Sequence, residues 1–155
     1  MKVEIESQLQ KRVAAVSHRG PYNTISQAFG LLGTLAGKAR LFDTPVAAMV
    51  AIYHDNPRLT PATELRSHAG LIVPSGVVLP AGLSEVHIPA GKYARTTHLG
   101  PYPKLGEVWA RFMNEWLPQS GYSLGSGPSY ERYWNTPMNA RPEQLKTDLY
   151  LPLAR

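Results

Sequence analysis

The chain repeats itself in register at an offset of eighty residues. His18-Arg19-Gly20-Pro21-Tyr22 returns as His98-Leu99-Gly100-Pro101-Tyr102, Tyr53 and Pro57 return as Tyr133 and Pro137, and Leu65-Arg66-Ser67 returns as Leu145-Lys146-Thr147. A shared turn peptide alone could be coincidence, but a constant spacing over a whole unit marks a duplicated module. The constraint on folding is strong, because whatever one copy builds the other must build too. On the strand before the second copy's proline the copies differ at a carboxylate: Glu131 stands where the first copy has Ala51. Matched halves supply a scaffold, so this carboxylate is the first candidate for function.

Each copy reads as strand, strand, helix, strand, strand. Val3-Glu4-Ile5-Glu6 alternates apolar and charged residues as a half-buried strand does, and residues 12–18 form a second strand ended by Gly20-Pro21. Asn23 or Thr24 can cap a helix running to about Lys38, with Ile25, Phe29, Leu32 and Leu35 on one face. Strands at 46–54 and 67–73 complete the copy. Pro74, Gly76, Pro80 and Gly82 punctuate a connector at 74–83. The second copy has strands at 85–88 and 93–98. Its helix opens at Pro103, buries Leu105, Val108, Trp109, Phe112 and Trp116, and stops near Pro118. Strands at 129–135 and 147–153 follow.

The repeats span 1–74 and 83–153, and neither has enough apolar surface to stand comfortably alone. The expected fold is therefore α+β, one domain over 1–155: an antiparallel sheet of about eight strands with two helices and a pseudo-twofold central cleft. Equivalent residues of the two copies should face each other there.

Composition narrows the function classes. The chain has 155 residues, 43% hydrophobic and 17% charged, which is globular rather than disordered. With no cysteine, disulfides, thiolate metal sites and a cysteine nucleophile are excluded. No apolar run approaches a membrane span, and the first six residues lack the apolar centre of a signal peptide, so the expected compartment is the cytoplasm. The formal net charge of +5 comes from scattered basic residues, and direct nucleic-acid binding is not expected. The two predicted helices lie far apart in sequence, so a helix-turn-helix reader is absent.

The chemistry-bearing residues point to a binding cleft. Strand alternation puts Glu131 and Tyr133 on one face, with Tyr130, Arg132 and Trp134 on the other. Tyr53 and Tyr133 are equivalent across the repeat, as are Tyr22 and Tyr102, which follow the Gly-Pro turns; Trp109 sits where the first copy has Phe29. A helix-spaced tryptophan fits a core as readily as a cleft wall. His18 and His98, each at a strand end, are best suited to holding their turns. The five His show no His-x-His or His-x-x-x-His spacing, so neither a metal nor another cofactor is expected. Leu124-Gly125-Ser126-Gly127-Pro128 matches neither a nucleophile elbow nor a phosphate loop.

Several segments in order carry a family resemblance: Gly-Pro-Tyr after a strand, Ile52-Tyr53-His54-Asp55-Asn56-Pro57, Thr60-Pro61-Ala62-Thr63-Glu64-Leu65-Arg66, Pro89-Ala90-Gly91-Lys92-Tyr93-Ala94, and Tyr130-Glu131-Arg132-Tyr133. They resemble the DNA gyrase inhibitor (GyrI-like) proteins, related to the effector-binding domains of AraC-type and MerR-type multidrug-responsive bacterial regulators. The resemblance implies a cleft for lipophilic, cationic or aromatic small molecules, with Glu131 on the position of the family's buried counter-charge. The ligand-binding set is then Glu131, Tyr53, Tyr133, Tyr22, Tyr102 and Trp109. Binding is favoured over catalysis. The alternatives are a cofactor-free hydrolase of DNA-alkylating toxins, with Glu131 as its catalytic carboxylate, and a protein that inhibits DNA gyrase. A separate DNA-binding regulator is a further expected partner. Relatives often carry Asp just after the Leu-Arg pair, where this chain has Ser67-His68, so no role is inferred there.

Overall fold

The computed structural model describes residues 1–154. They form eight antiparallel strands and two helices, the α+β content expected of the duplication. The strands are β1 (Glu4–Gln8), β2 (Lys11–Arg19), β3 (Ala48–Tyr53), β4 (Arg66–Ile72), β5 (Ser84–Ile88), β6 (Gly91–Leu99), β7 (Ser129–Tyr133) and β8 (Lys146–Pro152). Helix α1 spans Ser26–Lys38. Helix α2 begins at Leu105–Arg111 and continues through a π-helical stretch, Phe112–Trp116, into a last turn, Leu117–Gln119.

Two compact units result. Residues Gln10–Pro89 form the first; Met1–Leu9 with the chain from Ala90 onward forms the second. Strand order is β3-β4-β2-β5 in the first and β7-β8-β6-β1 in the second, the same order by repeat position. The opening strand of each repeat pairs with the second strand of the other repeat. Thus β1 joins β6, Glu4 opposite Arg95 and Gln8 opposite Gly91, and β5 joins β2, Ser84 opposite Ala15 and Ile88 opposite Lys11. The two linkers differ in turn chemistry. Leu9-Gln10 offers no Gly, Asn or Asp for the positive φ of a two-residue hairpin, and in the second repeat Gly91 (φ +152°) opens β6 in the ladder with β1. Arg95 ties β1 to β6 through Glu6 (2.6 Å) and Glu4 (3.4 Å). Arg12 ties β2 to β5 through Glu85 (2.7 Å).

Each unit has its own core. In the first, Leu32, Ala28 and Ala36 of α1 pack on Ala14, Val16, Ala69 and Leu71, and Leu83 joins them. In the second, Leu105 and Phe112 of α2 pack on Ala94, Leu149 and Leu151. The helical faces are those the apolar spacing predicts. The expected side-chain cap of α1 is not made. Thr24 instead donates to the Pro21 carbonyl (2.7 Å) and bonds His18 Nε2 (2.8 Å). Pro118 does not stop α2, because the widened turn before it, closed by Leu117 N–H to the Phe112 carbonyl, accommodates a ring that a regular α turn would reject.

Candidate functional site

Glu131 lies on β7 opposite Leu149 of β8, and Tyr133 lies opposite Thr147. Leu149 packs with Phe112 of α2, so this face of β7 is the helix-covered one. Glu131 is 3% exposed. From α2, Trp109 donates its Nε1–H to Glu131 Oε2 at 2.6 Å; from β7 itself, the Tyr133 hydroxyl donates to Oε1 at 2.6 Å. Each carboxylate oxygen therefore receives a short hydrogen bond from an aromatic side chain.

The Gly-Pro turn adds Tyr102. Gly100 adopts φ +139°, a conformation that L side chains resist, and its N–H bonds the Leu145 carbonyl at 2.9 Å. The chain leaves β6 in a direction that lays Tyr102 against Tyr133, with centroids 5.6 Å apart at 65°. Burial raises the pKa of the Tyr102 hydroxyl, and the Glu131 charge adds to that shift. Beneath the carboxylate, Trp109 contacts Phe112 (6.0 Å) and Phe112 contacts Trp116 (5.4 Å). The result is a carboxyl group withdrawn from water and set in aromatic surface. Hydrogen-bond donors such as these offset part of the cost of withdrawing a carboxyl group from water.

Four of the six sequence candidates thus gather in the second unit: Glu131, Tyr133, Tyr102 and Trp109. The other two, Tyr22 and Tyr53, meet in the first unit with ring centroids 4.7 Å apart. The Tyr22 hydroxyl donates to the Asp55 carbonyl (2.8 Å) and accepts from the Asp55 N–H (2.9 Å). Ala51, fully buried, holds the Glu131 position there, so this aromatic pair has no carboxylate from β3 beside it. Residues His18 and His98 hold their turns, His98 Nε2 lying 3.2 Å from the Pro101 carbonyl. A cavity of about 220 Å³ in the second unit is lined by Thr96, His98, Val108 and Arg111 among others, and one of about 360 Å³ in the first by Arg12, Glu85 and His87 among others; Glu131 lines neither.

Sequence reading missed two polar pairs on the opposite strand face. Asp148, 3% exposed, accepts from Trp134 Nε1 (2.7 Å) and the Thr97 hydroxyl (2.5 Å). At the equivalent positions of the first unit, His54 Nε2 lies 2.7 Å from His68 Nδ1. The signal was the repeat itself, which aligns His54 with Trp134 and His68 with Asp148. No group of three or more metal-ligating side chains occurs among the described residues, and no helix is long and apolar enough to cross a membrane.

Comparison with known proteins agrees with this architecture. The DNA gyrase inhibitor of Erwinia billingiae is 31% identical over 162 aligned positions that cover 100% of this chain and 99% of that protein. The EcmrR C-terminal domain superposes with a TM-score of 0.81 at 17% identity, covering 99% of this chain and 98% of that one. SAV2435, solved bound to tetraphenylphosphonium, superposes at 0.67 with 11% identity, covering 99% and 94%. These two structures share the fold. The profile of the GyrI-like small molecule binding domain matches residues 1–154, and the chain belongs to that family.

Proposed function

We propose that the protein binds lipophilic organic cations, with Glu131 as counter-charge and Trp109, Tyr133 and Tyr102 as the surrounding aromatic surface. The observation that carries this reading is the Glu131 carboxylate itself, 3% exposed and held by two aromatic donors at 2.6 Å. A fold relative solved with tetraphenylphosphonium supports the ligand class. In the conformation described, Trp109 covers one carboxylate oxygen. Entry of a cation therefore displaces or tilts the indole, and its fluorescence should respond. Tyr22 and Tyr53 offer flat surface for an aromatic group in their own unit.

The test is a titration of tetraphenylphosphonium and of a neutral aromatic compound of similar size, followed by calorimetry and tryptophan fluorescence. Replacing Glu131→Gln should weaken the cation by roughly ten-fold or more, as loss of a desolvated charge partner does, and should affect the neutral compound much less. Equal losses for both ligands would reject the counter-charge role. Mass spectrometry of the recovered ligand separates binding from hydrolysis, since a hydrolase returns altered product over many turnovers. A second reading, inhibition of DNA gyrase, is favoured by the description of the relative 31% identical over the whole chain. A supercoiling assay decides it, with unchanged gyrase activity at high protein excess ending that reading.

A further inference from the structure

We propose that His54 and His68 form a two-histidine chelate for a late first-row divalent cation (Cu²⁺, Ni²⁺ or Zn²⁺), with solvent completing the shell. The inference is independent of the Glu131 reading and concerns the first unit alone. His54 follows β3, and its N–H bonds the Arg66 carbonyl at 3.1 Å, which holds it in the β4 ladder. His68 lies on β4 opposite Ile52, so the two imidazoles are diagonal neighbours on one strand face although fourteen residues apart in sequence. Their rings meet edge to face, with centroids 4.9 Å apart at 83°, and the facing nitrogens are 2.7 Å apart.

That geometry is close to a chelate. Two imidazole nitrogens, each about 2.1 Å from a shared metal at tetrahedral or square angles, stand about 3.0–3.4 Å from each other. The pair must open by less than about 1 Å, which side-chain rotation supplies while the strands stay fixed. In the bonded pair one facing nitrogen donates its proton to the other; for a metal to enter, the donor ring takes the tautomer with that proton on its outer nitrogen, so both facing nitrogens present lone pairs and both rings stay neutral. Metal binding needs the neutral imidazole. An imidazole of ordinary pKa is already mostly neutral at pH 7.5. His54 is exposed and His68 half-buried, which leaves room for water ligands. Asp55 is not counted among the ligands, because Arg66 engages both its oxygens (2.9 and 3.1 Å). The same pair of positions in the second unit holds Trp134 and Asp148, which bond each other and offer no nitrogen ligand.

The experiment uses the full chain without a histidine tag. Calorimetric titration with NiCl₂ and CuCl₂ at pH 7.5 should give saturable 1:1 binding, tighter for Cu²⁺. Thermal melting should rise by several degrees at about a hundredfold excess of metal over its dissociation constant. His54→Gln and His68→Gln should each cut affinity at least ten-fold, while His87→Gln, at the separate Glu85–His87 pair (3.1 Å), should leave it unchanged. On the unaltered protein, Zn²⁺ should shift the imidazole ¹⁵N resonances of His54 and His68, a readout that no folding defect can imitate. Absence of saturable binding, binding that survives both substitutions, or ¹⁵N shifts confined to other histidines would overturn the proposal.

Discussion

A carboxyl group taken out of water needs donors to replace the lost hydration, and both oxygens of Glu131 accept from aromatic side chains. Its candidacy was legible because it puts a carboxylate on a strand where the first copy has Ala51. The role of Trp109 was only half legible. Helical spacing assigns the indole to the core, and it does contact Phe112. Spacing is silent about which way an N–H points, and that N–H is what reaches Glu131. The histidine pair was illegible, because linear spacing shows no chelate and only the β3–β4 register brings the rings together. A pH dependence follows from it. Both imidazoles have pKa values below the ordinary 6.5, through burial first, and for His54 also through the facing His68 and Arg66, with Asp55 opposing. The folded chain therefore binds fewer protons than the unfolded one, and this stabilisation is complete above about pH 6.5 and fades as pH falls through the lowered values. Urea midpoints should drop between pH 7.5 and 5.5, and His68→Gln should flatten that slope. An unchanged slope in the variant would remove the pair from the account.

At the scale of strands, the two copies keep one register and fill one face differently. Opposite the helices, the second unit carries Tyr93, Tyr130 and Tyr150, where the first has Val13, Val50 and Gly70. Tyr130 and Tyr150 stack at 4.4 Å and 6°, Tyr93 meets Tyr130 edge-on at 5.6 Å, and the Tyr130 hydroxyl donates to Gln8 on β1 at 2.5 Å. Burial, with the neighbouring Asp148 charge behind it, pushes the Tyr150 hydroxyl up to about 12, so these rings stay neutral. Period-two alternation predicted which residues share a face. It could not predict that the first unit packs so tightly there that a methyl group is excluded. A Cβ on Gly70 would run into Val13 Cγ1 and sit 3.2 Å from the Ala14 carbonyl oxygen. Gly70→Ala should therefore cost about 1–3 kcal/mol of stability, as overpacking does. Gly33→Ala, on α1 with nothing near its Cβ, should instead stabilise by about 0.5–1 kcal/mol through helix propensity. Chemical denaturation of the two variants, read side by side, checks both signs.

For the whole molecule, the duplication was readable from sequence and so was the order of elements, because periodicity and turn residues are local signals. Strand exchange was not, since it depends on which partner a strand finds across eighty residues. The repeat boundaries at 1–74 and 83–153 therefore differ from the compact units, and the difference has a measurable consequence. A fragment of residues 10–89 keeps β2 with both its neighbours, β4 and β5. It also keeps Leu83 in the core, with Val77 and Leu79 packed against it, so the segment read as a connector is part of the first unit's packing. A fragment of residues 1–74 keeps the β2–β4 ladder but loses β5, Leu83, Val77 and Leu79, and leaves β1 without β6, its ladder partner. An eighty-residue chain buries only a modest share of its surface, so missing one edge strand and three apolar contacts is decisive at this size. Residues 10–89 should unfold cooperatively in urea with dispersed amide resonances, whereas residues 1–74 should show neither. Equal cooperativity in the two fragments would mean that the exchanged strands contribute little to holding each unit together, and the stability of the Glu131 site would then have to rest on α2 and β6–β8 alone.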